Sequence, residues 1–387
     1  MTVAASSPAA GRLQRLAAYL EQDPSNAALL AEACDAAIAC GAHEEAQRFM
    51  AAAERLALDP AQWQFRRAQL AIARRELGRA AELLEQLRQA GGDHPVLAHD
   101  LGYVRLLEGD FESCRAVVQP WLEAARTGGW QQLEPLQLLW LRAMHRLQRL
   151  DEAMEWANTQ VVAGTLQPRA LGAASLIALD QEAFDAAREW ADAALAADPQ
   201  QVEALVARGC VALASGEVAR AAGLLEQALR CNAEDGRTWS ALGMASLLAR
   251  KLPLAQSQLE EAVRHMPDHV GSWHALGWAR LLQGRHAEAL AAFRAALEID
   301  RNFGETHGAL GLVLALSGQR EAARHHLELA DRLDAENVTG RYARALLAGE
   351  AGDREAIERL ARRLLDRRGF FGGTLGDAVL RQTRPRD

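Results

Sequence analysis

The chain has 387 residues, half of them hydrophobic, with 43 basic against 51 acidic side chains and a formal net charge of −8. The hydrophobic share is enough for a continuous core. The acidic balance supplies no basic footprint for nucleic acid and no attraction to an anionic lipid surface. Lys251 is the single lysine, and tryptophan, with 9 residues, outnumbers phenylalanine at 8 and tyrosine at 3. Abundant Ala, Leu, Glu and Arg, with few β-branched runs, point to helix. Cys34, Cys40, Cys114, Cys210 and Cys231 are odd in number and contain no C-x2-C pair. That usage predicts reduced thiols and a cytoplasmic protein. The start, MTVAASSPAAGRLQRL, lacks the charged and apolar regions of a secretory signal. No apolar stretch approaches the roughly 18 residues needed to span a bilayer, so no membrane insertion is expected.

In chain order, residues 1–25 read as a disordered start followed by a capping helix from Gly11 to Gln22, with Leu13, Leu16, Ala17 and Leu20 on one face. Helix pairs of irregular length fill 26–126: Ala27 to Cys40 with His43 to Leu58, Ala61 to Leu77 with Arg79 to Ala90, and Val96 to Glu108 with Phe111 to Arg126. Gly41, Gly78 and Gly109 are their expected turns, and Pro120 is expected to kink the last helix or restart it. Residues 127–135 form an insertion and a candidate hinge, and 136–365 a regular array. The array's pairs start near Leu136, Arg169, Val202, Arg237, Gly271, Glu305 and Thr339, with turns at Gly216, Gly284, Gly318 and Gly352. Residues 366–387 are a Gly, Phe and Arg tail.

The array keeps one frame. Trp239, Leu242, Gly243, Ala255, Leu259, Ala262 and Pro267 reappear one period on as Trp273, Leu276, Gly277, Ala289, Phe293, Ala296 and Arg301. After the same interval again they become His307, Leu310, Gly311, Ala323, Leu327, Ala330 and Ala335. A fixed period of about 34 residues marks a repeat architecture. Glycine belongs where the two helices of a repeat approach closely, alanine faces it, and Pro60, Pro199 and Pro267 stop a second helix. The pattern resembles the tetratricopeptide repeat over roughly residues 26–365. The resemblance implies an all-α, right-handed superhelical solenoid of about nine to ten helix-turn-helix repeats.

It also implies a binding scaffold, adaptor or chaperone that holds a peptide segment of a partner protein on its concave face, with secretion or envelope assembly as one setting. A structural subunit that self-associates into a homo-oligomer is the second reading, and an enzyme or enzyme subunit a remote third. First helices line the concave side. There one position recurs as Arg142, Leu176, Cys210, Met244, Trp278, Leu312 and Leu346, with Tyr103 as its earlier counterpart, beside a row containing Leu179, Leu213, Leu247, Leu281 and Ala315. Such a stripe is either a groove for an apolar segment or packing between helices. Trp and Arg are frequent hot-spot residues, and Met suits adaptable contacts. Polar candidates on the same side are Arg142, His145, Arg169, Glu203, Arg237 and His274. The Lys and Asn pair of a carboxylate-clamping repeat is missing, since those positions hold Val206, Cys210, Ser240, Met244, His274 and Trp278.

Catalytic and metal signals are weak. His265 and His269 flank Pro267 and read as loop histidines, while His325 and His326 are adjacent and point different ways, with no ligand set beside them. No G-x-S-x-G, P-loop or dinucleotide fingerprint occurs, so a non-enzymatic chain without cofactor or metal is expected. Phe370 and Phe371 lie between glycines in the tail. They are either disordered or docked, as a plug in the groove or a cap on the last repeat.

Overall fold

The computed structural model describes residues 8–92, 94–124 and 133–348. Among these residues the regular secondary structure is entirely α-helical, in twenty helices. The chain divides into two compact units, 1–152 and 153–387.

The first unit opens with α1 (Pro8–Gln22), which starts at Pro8 rather than Gly11. Proline suits this place because the first helical N–H has no intrahelical partner. The helical pairs follow as α2 (Ala27–Ala39) with α3 (His43–Arg55), α4 (Pro60–Ala73) with α5 (Leu77–Gly91), and α6 (Pro95–Glu108) with α7 (Phe111–Ala124). α8 (Glu134–Arg146) closes the unit, and α9 (Leu150–Val162) crosses the boundary at residue 152. Leu13, Leu16 and Leu20 of α1 bury against Leu30, Ala33, Cys34 and Ala37 of α2, Ala46 and Met50 of α3, and Trp63 of α4. Each large apolar side chain so buried contributes about 1.5–3 kcal/mol.

Three expectations change here. Gly78 lies inside α5, and the turn before it is made by Arg75 at φ 62°. Pro60 begins α4 instead of merely stopping α3. α7 continues through Pro120 to Ala124, so no new helix starts there. Of the insertion, residue 133 precedes α8 and 134–135 belong to it, so the frame returns at 134. The rest of that segment, the second helix of the tenth pair, and Phe370 and Phe371 lie outside the described residues.

The remaining helices follow the array. First helices are α10 (Pro168–Asp180), α12 (Val202–Ala214), α14 (Gly236–Leu248), α16 (Val270–Leu282), α18 (Gly304–Leu316) and α20 (Val338–Ala348). Second helices are α11 (Phe184–Ala197), α13 (Val218–Cys231), α15 (Leu252–His265), α17 (His286–Ile299) and α19 (Arg320–Leu333). Starts of the first helices from α8 onward fall at 134, 168, 202, 236, 270, 304 and 338, a constant step.

Steric fit sets that step. A Cβ on Gly277 would stand 2.5 Å from Cε1 of Phe293, whose ring is fully buried, and one on Gly243 would stand 2.5 Å from Cγ of Leu259. The facing Ala255, Ala289 and Ala323 are fully buried. A second periodic device is not legible in the pattern. The indole Nε1 of Trp239 donates to the Ala233 carbonyl at 2.8 Å, and that of Trp273 to the Pro267 carbonyl at 2.7 Å. At the same place in the next repeats, His307 Nε2 meets the Arg301 carbonyl at 3.1 Å and Arg341 Nη2 donates to the Ala335 carbonyl at 3.0 Å. Trp, His and Arg share only an N–H donor with enough reach. The position therefore pins the preceding inter-repeat turn, and an aromatic ring is one way to do so.

Candidate peptide-binding face

The candidate residues sit on first helices, in rows that the constant step brings into register. In the first unit Tyr103 of α6 and Arg142 and His145 of α8 are half-buried. In the second unit Arg169 at the start of α10 is exposed, and Leu176 of the same helix and Glu203 of α12 are half-buried. The apolar stripe, however, is mostly core. Cys210 and Leu312 are fully buried, and Leu281, Leu247 and Met244 are 4%, 6% and 7% exposed. Met244 and Leu247 pack with Leu213, Ala275, Leu276 and Ala279. Leu281 and Leu312 pack with Trp278, Phe293 and Leu310. The cause is lateral packing. α12, α14, α16 and α18 each meet two second helices, and α12, α14 and α16 also pack along neighbouring first helices, so little of their surface stays open. These five residues therefore do not form an exposed groove.

Trp278 is likewise inside, at 9% exposure. Its Nε1 donates to Nε2 of His274 at 3.0 Å. His274 also meets Phe293 and Phe303 at ring-centroid distances of 5.2 and 5.7 Å, and Trp278 stands edge-on to Phe293 at 6.2 Å. An indole N–H can only donate, so His274 accepts at Nε2 and carries its proton on Nδ1. Burial in this aromatic nest pushes the imidazole down to about 4, which keeps it neutral at physiological pH. In the sequence His274 and Trp278 read as separate contacts, and the structure joins them into one packed unit.

The open chemistry lies toward α10, α12 and α14. Both guanidinium ends of Arg237 bind the carboxylate of Asp180, one from Nη1 to Oδ2 at 3.1 Å and the other from Nη2 to Oδ1. Burial alone would lower the Arg237 guanidinium, and the hydrogen-bonded Asp180 carboxylate outweighs it and holds the cation above its ordinary range. Cys210 lies within the influence of this pair. Its burial raises the thiol to about 11, with Arg237 acting the opposite way. Asp180 ends α10 and Arg237 lies in the first turn of α14, so the pair skips the repeat that contains α12. Repeat arrays make contacts chiefly between neighbours. The pair bridges α10 and α14 across the repeat of α12, within the electrostatic influence of Cys210.

No periodic pattern marks Asp180 in the sequence; it matters through one partner, Arg237, 57 residues away. His269, in the loop as expected, also caps α16, accepting from the Ser272 backbone N–H at 3.2 Å. Ser272 then donates to Ser240 Oγ at 2.9 Å, linking α16 to α14. Among the described residues, no group of three or more His, Cys, Asp or Glu side chains is placed to hold a metal ion, and no helix is long and apolar enough to cross a membrane.

The tetratricopeptide-repeat family profile matches residues 206–255 and 248–302, which contain α13, α14, α15, α16 and α17. That segment therefore carries tetratricopeptide repeats. Among the described residues, the helix pairs from α8 onward repeat in that family's frame, in the all-α manner of a solenoid. Solved tetratricopeptide-like structures share parts of it. One is a crystal structure of MamA, at 21% identity over 41% of this chain and 93% of that one, with a TM-score of 0.38. Another is YrrB, described as a TPR protein with an unusual peptide-binding site, at 22% identity over 50% of this chain and 97% of that one, with a TM-score of 0.39. A search of curated proteins returned no match.

Proposed function

We propose that this tetratricopeptide-repeat protein is a non-enzymatic adaptor that holds a peptide segment of a partner protein against the first helices α10, α12 and α14. The observation that supports the reading is the Asp180–Arg237 ion pair, which bridges the first helices of alternate repeats. Helices α10 and α12 carry exposed Arg169, half-buried Leu176 and half-buried Glu203. Charge of both signs beside an apolar side chain suits an extended segment, whose backbone and side chains can be met together. The ligand face is thus more polar than the apolar stripe suggested, and Met244, Leu247 and Cys210 serve as its floor.

The test is selection of peptides from a random displayed library on the immobilised wild-type protein and on Arg169→Glu/Leu176→Glu, with folding of both checked by circular dichroism. The reading expects one family of peptides enriched on the wild type and lost on the variant. Enrichment of the same peptides on both proteins, or of none on either, would contradict it.

A further inference from the structure

The repeat formed by α18 and α19 differs from its neighbours at two facing positions. His307 stands where the two preceding repeats carry Trp239 and Trp273, and His326 stands where they carry Gln258 and Ala292. The two imidazoles meet, with Nδ1 of His307 3.0 Å from Nδ1 of His326 and their ring centroids 5.3 Å apart. His307 is 5% exposed, and His326 is half-buried. The sequence presents His325 and His326 as adjacent residues without partners; in the fold His326 faces inward.

Proton positions follow from the partners. Nε2 of His307 faces the Arg301 carbonyl, which can only accept, so Nε2 carries hydrogen. A neutral His307 then has a lone pair on Nδ1. The short approach from His326 requires hydrogen on that ring's Nδ1. The result is an ordered chain in which His326 donates to His307 and His307 donates to the Arg301 carbonyl. A proton added to Nδ1 of His307 would leave two N–H groups opposed across 3.0 Å, and the bond would become a repulsion.

We propose that the His307–His326 pair is a proton-operated latch, which ties α18 to α19 when neutral and loosens this repeat when acid places a proton on Nδ1 of His307. Nearby charges resist protonation. Burial acts first on His326, followed by His307 on α18, His325 on its own helix and Arg294 on α17, and together they lower it to about 4. The charged groups of α20 are cations already engaged: Arg341 binds the Ala335 carbonyl and Glu336, and Arg344 binds the Leu327 carbonyl and Asp331. In the turn, Asp300 accepts from the Asn302 backbone N–H. A histidine that is harder to protonate folded than unfolded gives stability that is full above the ordinary value of 6.5 and is lost as pH falls towards 4.

The chain supplies its own control. His307→Trp/His326→Ala rebuilds the Trp273 and Ala292 arrangement of the preceding repeat, including the N–H for the Arg301 carbonyl. Thermal unfolding of the full chain at pH 7.5 and pH 5.0 should show a larger drop in Tm for the wild type than for this variant. Side-chain ¹⁵N spectra of the wild type should show His326 as the Nδ1–H tautomer and His307 as the Nε2–H tautomer, with His326 titrating well below 6.5. Equal acid-induced drops in Tm for the two proteins would overturn the latch. So would the opposite tautomers, or a His326 that titrates like a free imidazole. If the variant does not fold, the wild-type spectra alone still decide the matter.

Discussion

Replacing Glu182 by glycine should stabilise the protein. Six turns at the same place in successive repeats put one residue in the left-handed region: Gln148, Glu182, Gly216, Arg250, Gly284 and Gly318. Glu182 sits there at φ 57°, beside values of 77°, 78° and 76° at the three glycines. Its side chain is exposed, and its backbone N–H donates to the Leu179 carbonyl at 3.0 Å, a bond that glycine keeps. An L side chain held in this region costs about 1–2 kcal/mol. Glycine returns about 0.5–1 kcal/mol of that through the freedom it adds to the unfolded chain. The balance is a gain of about 0.5–1 kcal/mol, or roughly 2 °C in Tm for a unit of this size. Urea unfolding followed by circular dichroism should show a higher midpoint with an unchanged slope. Glu182→Ala keeps the Cβ and should change little. The reasoning fails if Glu182→Gly lowers the midpoint, or if Glu182→Ala raises it as much as glycine does.

Gly277→Ala should destabilise by about 1–3 kcal/mol in the same assay, because the new methyl meets the buried ring of Phe293 and must displace it. His274 should titrate near 4 by NMR. Because its folded value is depressed, its contribution to stability is complete above 6.5 and is lost as pH falls towards 4. A thiol reagent applied to the native protein should label exposed Cys231 first. Cys34 and Cys114, whose thiols burial pushes up to about 12, should stay unlabelled until unfolding.

The architecture was readable because repetition multiplies weak signals. Gly243 or Ala255 alone says little, whereas the same pair recurring in repeat after repeat reports two helices in close contact. The turns were only half readable. Glycine announces a left-handed residue at Gly216, Gly284 and Gly318, but Gln148, Glu182 and Arg250 adopt the same backbone without any glycine to mark it. The candidate face was the least legible. Register places the candidates on first helices, yet register does not say how closely neighbouring first helices pack. Met244, Leu247 and Leu312 look like a groove in the pattern and are core in the fold. Asp180 looks like a helix end and is the partner of Arg237. Both outcomes depend on contacts between repeats, and a pattern within one repeat cannot carry them.

The central claim is that a peptide lies along α10, α12 and α14, and site-specific photo-crosslinking tests it most directly. A benzophenone amino acid would replace Leu176 on that face in one protein and exposed Glu189 on α11 in another, each irradiated with a peptide selected on the wild type. Adduct formation at position 176 and none at position 189 is the predicted result. Adducts at 189 with none at 176 would place the ligand on the second helices and contradict the account.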